Sequence, residues 1–307
     1  MNPKIDTIIF SFDRAMQLEL LLESIEEHDI DKILNIIILY SYSNFNYQKA
    51  YTILRRKFPQ FNWQEEEIYN PPKSNFDFDL LYWHNFYWWM KHNYLRRNRS
   101  DFKQKLVKIL TESSDNLIMF LTDDCLFYRN IIIPKDCIQQ ILDTSGKTSF
   151  SLRHGANLKG GIYSSEKDVI HWNMYENDEK TDWGYPFSVD GHIYLKSAIV
   201  PILRKTIFTN PNTLEGNLCF YIKKKQLFPY VTANKESCLI GLELNRVQNV
   251  SPNNHLNLSS SILNEYFIRD YSLAIDFVSE KNFRFHPRIE SVHVVKEDEK
   301  ITLLNVY

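Results

Sequence analysis

Between residues 5 and 125 the chain alternates short aliphatic runs with segments of helical spacing, and this alternation limits its folds more than any other feature. Thr7-Ile8-Ile9-Phe10-Ser11 is a continuous apolar run followed by Ala15 to His28, where Met16, Leu18, Leu21, Leu22 and Ile25 recur at helical spacing. Ile33 to Tyr40 repeats the strand pattern, and Tyr47 to Lys57 repeats the helix pattern until Pro59 stops it. Phe61 to Ile68 reads as a third short strand before the loop Asn70-Pro71-Pro72-Lys73. Phe76 to Tyr94 and Lys103 to Glu112 read as helical. Leu117-Ile118-Met119-Phe120-Leu121 is the clearest buried strand, and it runs into Thr122-Asp123-Asp124-Cys125. Strands alternating with helices at this spacing predict an α/β fold, a Rossmann-like, mainly parallel sheet flanked by helices. In such sheets ligands bind beyond the carboxyl ends of the strands, which is where Asp123 and Asp124 stand.

The second half is less regular. Phe150 to Arg153 reads as a strand, Gly155 to Gly161 as a loop, and Trp183 to Gly191 as an aromatic segment ending in Asp190-Gly191. Gln248 to Asn257 is the nearest thing to a linker, Ser259 to Phe277 is expected to be a late helix, and Ser291 to Tyr307 to be two strands about the turn Lys296 to Lys300. A division follows: 1–250 as the main domain, with 1–125 and 126–250 as its halves, and 251–307 as a helical and hairpin extension packed on it.

Composition narrows the function classes. With 36 basic and 38 acidic side chains the net charge is −2, so no global field draws in nucleic acid or an anionic membrane. Cys125, Cys137, Cys219 and Cys238 are too far apart for a CxxC motif and read as reduced thiols. Neither a signal-peptide pattern nor an apolar run of about 20 residues is present. The expected setting is cytoplasmic, with peripheral membrane contact through basic runs such as Lys223-Lys224-Lys225 as the most it would make; a plain solvated face explains those lysines equally.

Adjacent carboxylates at a strand end suit Mg²⁺ or Mn²⁺, which take oxygen ligands from one or two carboxylates plus substrate phosphates. A solvated turn is the competing account. Three segments, in order, resemble glycosyltransferases of the GT-A type, especially bacterial family 2-like inverting enzymes of surface polysaccharide synthesis. Ile8 to Arg14 with Gln17-Leu18 and Leu22 to Ile25 resembles their opening strand, nucleotide-binding turn and first helix; Phe120 to Asp124 resembles their acidic motif in its adjacent-acid form; Trp183 to Gly191 with Asn210 to Glu215 resembles the acceptor side of a narrower branch. The likeness spans about residues 5 to 250, and it departs from the commoner pattern at Cys125, where a further acid is usual.

The resemblance implies a GT-A fold, a UDP- or GDP-linked sugar as donor, a glycan or lipid-linked glycan as acceptor, and Mn²⁺ or Mg²⁺ as cofactor. It implies that Ser11, Phe12 and Arg14 line the nucleotide, that Asp123 lies near the ribose, and that Asp124 holds the metal with a late histidine beside it, for which His255, His286 and His293 all stand late enough and His255 is taken. An inverting transfer needs a base, for which Asp190 is assigned, with Glu215 as rival and Asp182 as a third candidate. Against these roles, Asp190 would serve as a helix N-cap and Glu215 as a first-turn acid. Arg153, Trp183 and Tyr185 are assigned to the sugar and acceptor, although Arg153 with His154 and Asn157 would equally satisfy a buried loop, and Trp183 would equally pack in the core. Two other functions compete: a non-catalytic binding or scaffold protein of the same fold, hinted at by Cys125, and a sugar nucleotidyltransferase, disfavoured because Ser11-Phe12-Asp13-Arg14 lacks a glycine-rich phosphate loop.

Overall fold

The structure, a computed structural model, describes residues 3–69, 99–178, 180–247, 255–277 and 288–306. The helix expected over 76–94 and the candidate His286 lie outside the described residues.

The strands in chain order are β1 (Ile5–Phe12), β2 (Leu34–Ser41), β3 (Asn62–Glu65), the two-residue pair β4 (Ile68–Tyr69) and β5 (Arg99–Ser100), β6 (Leu117–Thr122), β7 (Cys125–Phe127), β8 (Thr148–Ser151), β9 (Ser164–Glu166), β10 (Val169–Asn173), β11 (His192–Leu195), β12 (Tyr230–Asn234), β13 (Leu239–Gly241), β14 (Ser272–Phe277), β15 (Ile289–Lys296) and β16 (Glu299–Asn305). Nine of them form one mixed sheet in the order β3-β2-β1-β6-β11-β8-β12-β10-β9. Its N-terminal half, β3-β2-β1-β6, is parallel throughout, and β8 and β12 also pair in parallel. The helices are α1 (Ala15–His28), α2 (Phe45–Lys57), α3 (Phe102–Glu112), α4 (Lys135–Asp143), α5 (Lys196–Lys205), α6 (Pro211–Lys225) and α7 (Ser260–Ile268). The expected mixed α/β architecture, a sheet flanked by helices, is what the chain forms.

Each continuous apolar run supplies two faces, because successive side chains on a strand point to opposite sides. Ile5 and Ile9 of β1, Ile36 and Ile38 of β2, and Leu117, Met119 and Leu121 of β6 pack into one cluster with α1, α2 and α4. Ile8 and Phe10, Ile37 and Leu39, and Ile118 and Phe120 pack into a second cluster with α3, α5 and α6. Every strand side chain buried this way contributes roughly 1.5–3 kcal/mol, so the register of β1 between β2 and β6 is strongly fixed. That register sets Phe10 opposite Thr122, bringing Ser11 to Arg14 and Asp123-Asp124 to the same end of the sheet.

Two readings change. Residues 259–277 are α7 and then β14, because the chain takes a left-handed turn at Asp270 (φ 71°) that no helix continues through. Asp190 caps no helix, since β11 follows it. The β14-β15-β16 sheet, with the turn at Glu297, matches the expected C-terminal hairpin plus one strand. Leu263, Phe267, Leu273, Val292 and Val294 belong to the first cluster, so the C-terminal segment shares its core with β1 and α1. No helix among the described residues is long and apolar enough to cross a membrane.

Candidate active site

The site starts from the turn after β1. Asp13 takes a left-handed conformation (φ 57°), which aspartate tolerates better than most residues, and its carboxylate accepts from the Ser43 N–H at 2.8 Å. This turn directs Arg14 across the ends of β1 and β6. One guanidinium nitrogen, Nη1, donates to Asp123 Oδ1 at 3.0 Å and to Asp124 Oδ2 at 2.8 Å. The rest is clamped by Asn245, which accepts from Nε on its side chain at 2.7 Å and from Nη2 on its carbonyl at 2.5 Å. Asn245 is itself held by Gln17 of α1 at 2.9 Å.

The two acids differ in what remains open. The Asp123 side chain is only 5% exposed, and its Oδ2 accepts from the Ser11 hydroxyl at 2.9 Å and the Phe12 N–H at 3.1 Å. With the Ser11 proton so committed, the Tyr51 hydroxyl, 2.6 Å away, is left to donate to Ser11, while it accepts from the Arg14 N–H at 3.3 Å. Burial pushes the Asp123 carboxyl up to about 6, with Arg14 opposing and Asp124 adding to the rise. Asp124 is 23% exposed and reachable from solvent. Burial opposes the charge on Arg14, but Asp124 and Asp123 together more than offset it and keep the guanidinium firmly protonated.

A second group adjoins the first. Asp190 accepts from the Thr122 hydroxyl at 2.7 Å and from Arg153 at 3.0 Å, and its own N–H donates to Ser188 Oγ at 3.0 Å. Its side chain is 26% exposed. Gly191 makes this placement possible. Its φ is 78°, its N–H donates to the Phe120 carbonyl at 2.8 Å, and a Cβ there would lie 2.1 Å from a Leu239 methyl. Burial raises the Asp190 pKa, Arg153 opposes, and the Asp124 charge raises it further, so the two groups share one field. The Cys125 thiol donates to Asp190 at 3.7 Å and is held neutral by burial and by Asp190 and Asp124. Glu243 feels Arg153, Asp124 and Asp190.

Glu215 lies in α6, whose start is fixed by an Asn210–Thr213 capping box with Pro211 in the first turn. Its Oε1 accepts from the Val189 N–H at 3.1 Å, so it braces the segment that carries Asp190. Burial, reinforced by Asp190, pushes it up to about 8. The Tyr185 hydroxyl is raised by burial and by Glu215, and stays protonated.

The structure thus joins Ser11, Phe12, Arg14, Asp123 and Asp124 in one hydrogen-bonded group and Asp190 with Arg153 in a neighbouring one. Trp183 is 2% exposed and packs on His154, Trp172 and Tyr163, so its indole offers no open face to an acceptor. Asp182 is exposed. His154 bonds to Ser151, and Asn157 bonds twice to Ser237, both satisfying a buried loop. His255 accepts from the Asn257 N–H at 3.2 Å, and His293 bonds Asp276, Ser291 and Thr302 within the C-terminal sheet. Neither joins Asp124: among the described residues no three His, Cys, Asp or Glu side chains form a metal-holding group. A protein cage for a metal is therefore not what these residues offer. The hard oxygens of Asp124 do fit the other kind of divalent site, one carboxylate completed by substrate phosphates. Tyr51 and Asn245 come from distant segments and carry no motif, so the sequence holds no signal for them; Thr122 lies within the acidic motif, but its bond to Asp190 shows only in the fold.

No family model matches the chain. It is 23% identical over 322 aligned residues to the bifunctional glycosyltransferase pgtA of Dictyostelium discoideum, an alignment that takes in 89% of this chain and 38% of that protein. The chain thus spans well under half of that relative. Among solved structures it is similar to S. aureus TarS 1–349, also solved in complex with UDP, at 11% and 12% identity, TM-score 0.42, over 77% of this chain and 59% of that one. It is also similar to the mannosyltransferase PcManGT from Pyrobaculum calidifontis in complex with GDP-Man and Mn²⁺, at 14% identity, TM-score 0.37, over 77% and 55%.

Proposed function

We propose that this chain is a GT-A-type glycosyltransferase that moves a sugar from a UDP- or GDP-linked donor to a hydroxyl of a glycan or lipid-linked glycan, with inversion and with Mn²⁺ or Mg²⁺ at Asp124. The observation that carries it is the joining of Arg14, Asp123 and Asp124 at the ends of adjacent parallel strands, with Asp190 hung from Thr122 beside them. The sequence similarity to a glycosyltransferase supports the same class.

In this reading Ser11, Phe12 and Asp123 form the wall against the nucleoside, and the Arg14 guanidinium, held by Asn245, turns its Nη1 group from Asp124 to the donor diphosphate. The acceptor oxygen attacks the anomeric carbon as the carbon–phosphate oxygen bond breaks. Its proton passes to Asp190, and the bonding pair leaves with the diphosphate. The divalent ion, when bound, neutralises charge building on that leaving group. Arg153 holds Asp190 in place and restrains the rise of its pKa, keeping it available as a base. Glu215, largely protonated at neutral pH, is a brace, and the base role falls to Asp190.

Calorimetry with UDP and GDP, with and without Mn²⁺, tests this together with hydrolysis of UDP- and GDP-sugars. Metal-linked binding of one nucleotide, its loss in Asp124→Ala, and slow sugar release that falls at least a hundredfold in Asp190→Asn are expected. Binding without turnover of any donor would point to a scaffold, and no nucleotide binding at all would remove the proposal.

A further inference from the structure

The Asp124 carboxylate that suits a divalent ion already carries a cation. Arg14 Nη1 sits 2.8 Å from its Oδ2 and 3.0 Å from Asp123 Oδ1, so one guanidinium neutralises half of a paired negative charge. The contact is built, since Arg14 is 9% exposed and its other two nitrogens are spent on Asn245. Asn245 is 5% exposed and tied to Gln17 of α1, so the clamp stands on the core.

A divalent ion bound to Asp124 at the usual distance of about 2.1 Å would lie only a few ångströms from this guanidinium. Two cations on one carboxylate repel, and in a partly buried site the repulsion is poorly screened. A nucleoside diphosphate reverses the balance. Its oxygens offer the Arg14 Nη1 group an anionic partner in place of Asp124 and offer the ion its remaining ligands, so the cation that opposed the metal comes to share the diphosphate with it.

We propose that Arg14 is an internal counter-cation that closes Asp124 to divalent ions until a nucleoside diphosphate draws the guanidinium onto its phosphates, which makes metal and nucleotide binding mutually dependent. This rests on the donor class proposed above. Because linkage is reciprocal, the ion tightens the nucleotide by the factor by which the nucleotide tightens the ion, typically 5–150-fold for coupled sites.

The test reads metal binding directly, by electron paramagnetic resonance of Mn²⁺ with the intact protein and no nucleotide. Wild type should bind Mn²⁺ weakly, and Arg14→Gln, which keeps a hydrogen-bonding side chain without the charge, should bind it at least tenfold tighter. Adding UDP or GDP should tighten Mn²⁺ in wild type at least fivefold and by a clearly smaller factor in Arg14→Gln, where the phosphates still add ligands but no counter-cation is left to displace. Asn245→Ala, which loosens the clamp and leaves the charge, should gain Mn²⁺ affinity to a smaller degree and serves if Arg14→Gln does not fold. Equal Mn²⁺ affinity in wild type and both variants overturns the inference even where nucleotide binds. The Mn²⁺ measurement without nucleotide stands whether or not UDP or GDP is the donor, so the two proposals fail separately.

Discussion

At the scale of the residue, the acids of this site are told apart by what surrounds them. Glu215 is the sharpest case, lifted by burial and by Asp190 from 4.5 to about 8. A carboxyl raised on folding binds its proton more tightly in the native than in the unfolded chain between those two values. The stability from that bound proton is full below pH 4.5 and drains away as pH climbs through 8. The slope from one such group is at most about 1.4 kcal/mol per pH unit, and because Glu215 is only half-buried the pH window over which it acts is narrower than full burial would give. Glu215→Gln keeps an oxygen for the Val189 N–H and cannot ionise. Denaturant unfolding at pH 5, 7 and 9 should therefore show wild type losing stability with rising pH and the variant following a flatter line, with the variant the more stable at pH 9. Parallel lines would mean that Glu215 is already ionised at neutral pH and would return it to contention as the base.

At the scale of the element, the strand ends bring the acids together, and one glycine hinge sets the second group against the first. Gly191 is pinned between β6 and β8, its N–H on Phe120 and its carbonyl accepting from the Leu152 N–H at 3.0 Å. A side chain there meets both a positive φ and a Leu239 methyl 2.1 Å away. Gly191→Ala should cost about 2–3 kcal/mol by chemical denaturation, and it should lower turnover more than nucleotide affinity because Asp190 moves while Arg14 does not. Leu239→Ala costs stability on its own as a truncated core leucine, but in that background Gly191→Ala should cost less than in wild type, with only the φ strain left; no remaining cost in that background would show that the backbone was never strained. The sequence shows the first half of this arrangement well. β1, β2 and β6 end within about a residue of their apolar runs, since a strand buried on both faces reads as a nearly continuous aliphatic run. That Arg14, Asp123 and Asp124 gather at one end of the sheet follows from that; that the guanidinium pairs with both acids is seen only in the folded chain. Asn245 and Tyr51 do not, because each reaches the site across a long stretch of chain and only the closed fold places it there. β14 was hidden for another reason: Leu263, Phe267, Tyr271 and Ala274 keep helical spacing across the Asp270 turn, and residue types alone do not announce a left-handed aspartate.

At the scale of the whole molecule, the segment beyond residue 250 shares a core with the strands and helix at the start of the chain. Leu273, 4% exposed, and Val292 and Val294, fully buried, share one cluster with Ile5 and Ile9 of β1 and Leu18, Leu21 and Leu22 of α1. The helix that follows the Arg14 turn is thus covered on its far side by the C-terminal sheet. Removing apolar volume from that sheet should be felt at the nucleotide end of β1. Leu273→Ala is expected to cost roughly 2–5 kcal/mol as a truncated core leucine. If the chain unfolds as one unit, tryptophan fluorescence, far-ultraviolet circular dichroism and nucleotide binding should lose their native signals at one shared, lowered midpoint. An extension that folds independently would instead give an early transition in circular dichroism with nucleotide binding intact up to the wild-type midpoint. We expect the shared midpoint, because α1 is a common wall of both parts and cannot lose the packing on one side while keeping its position on the other.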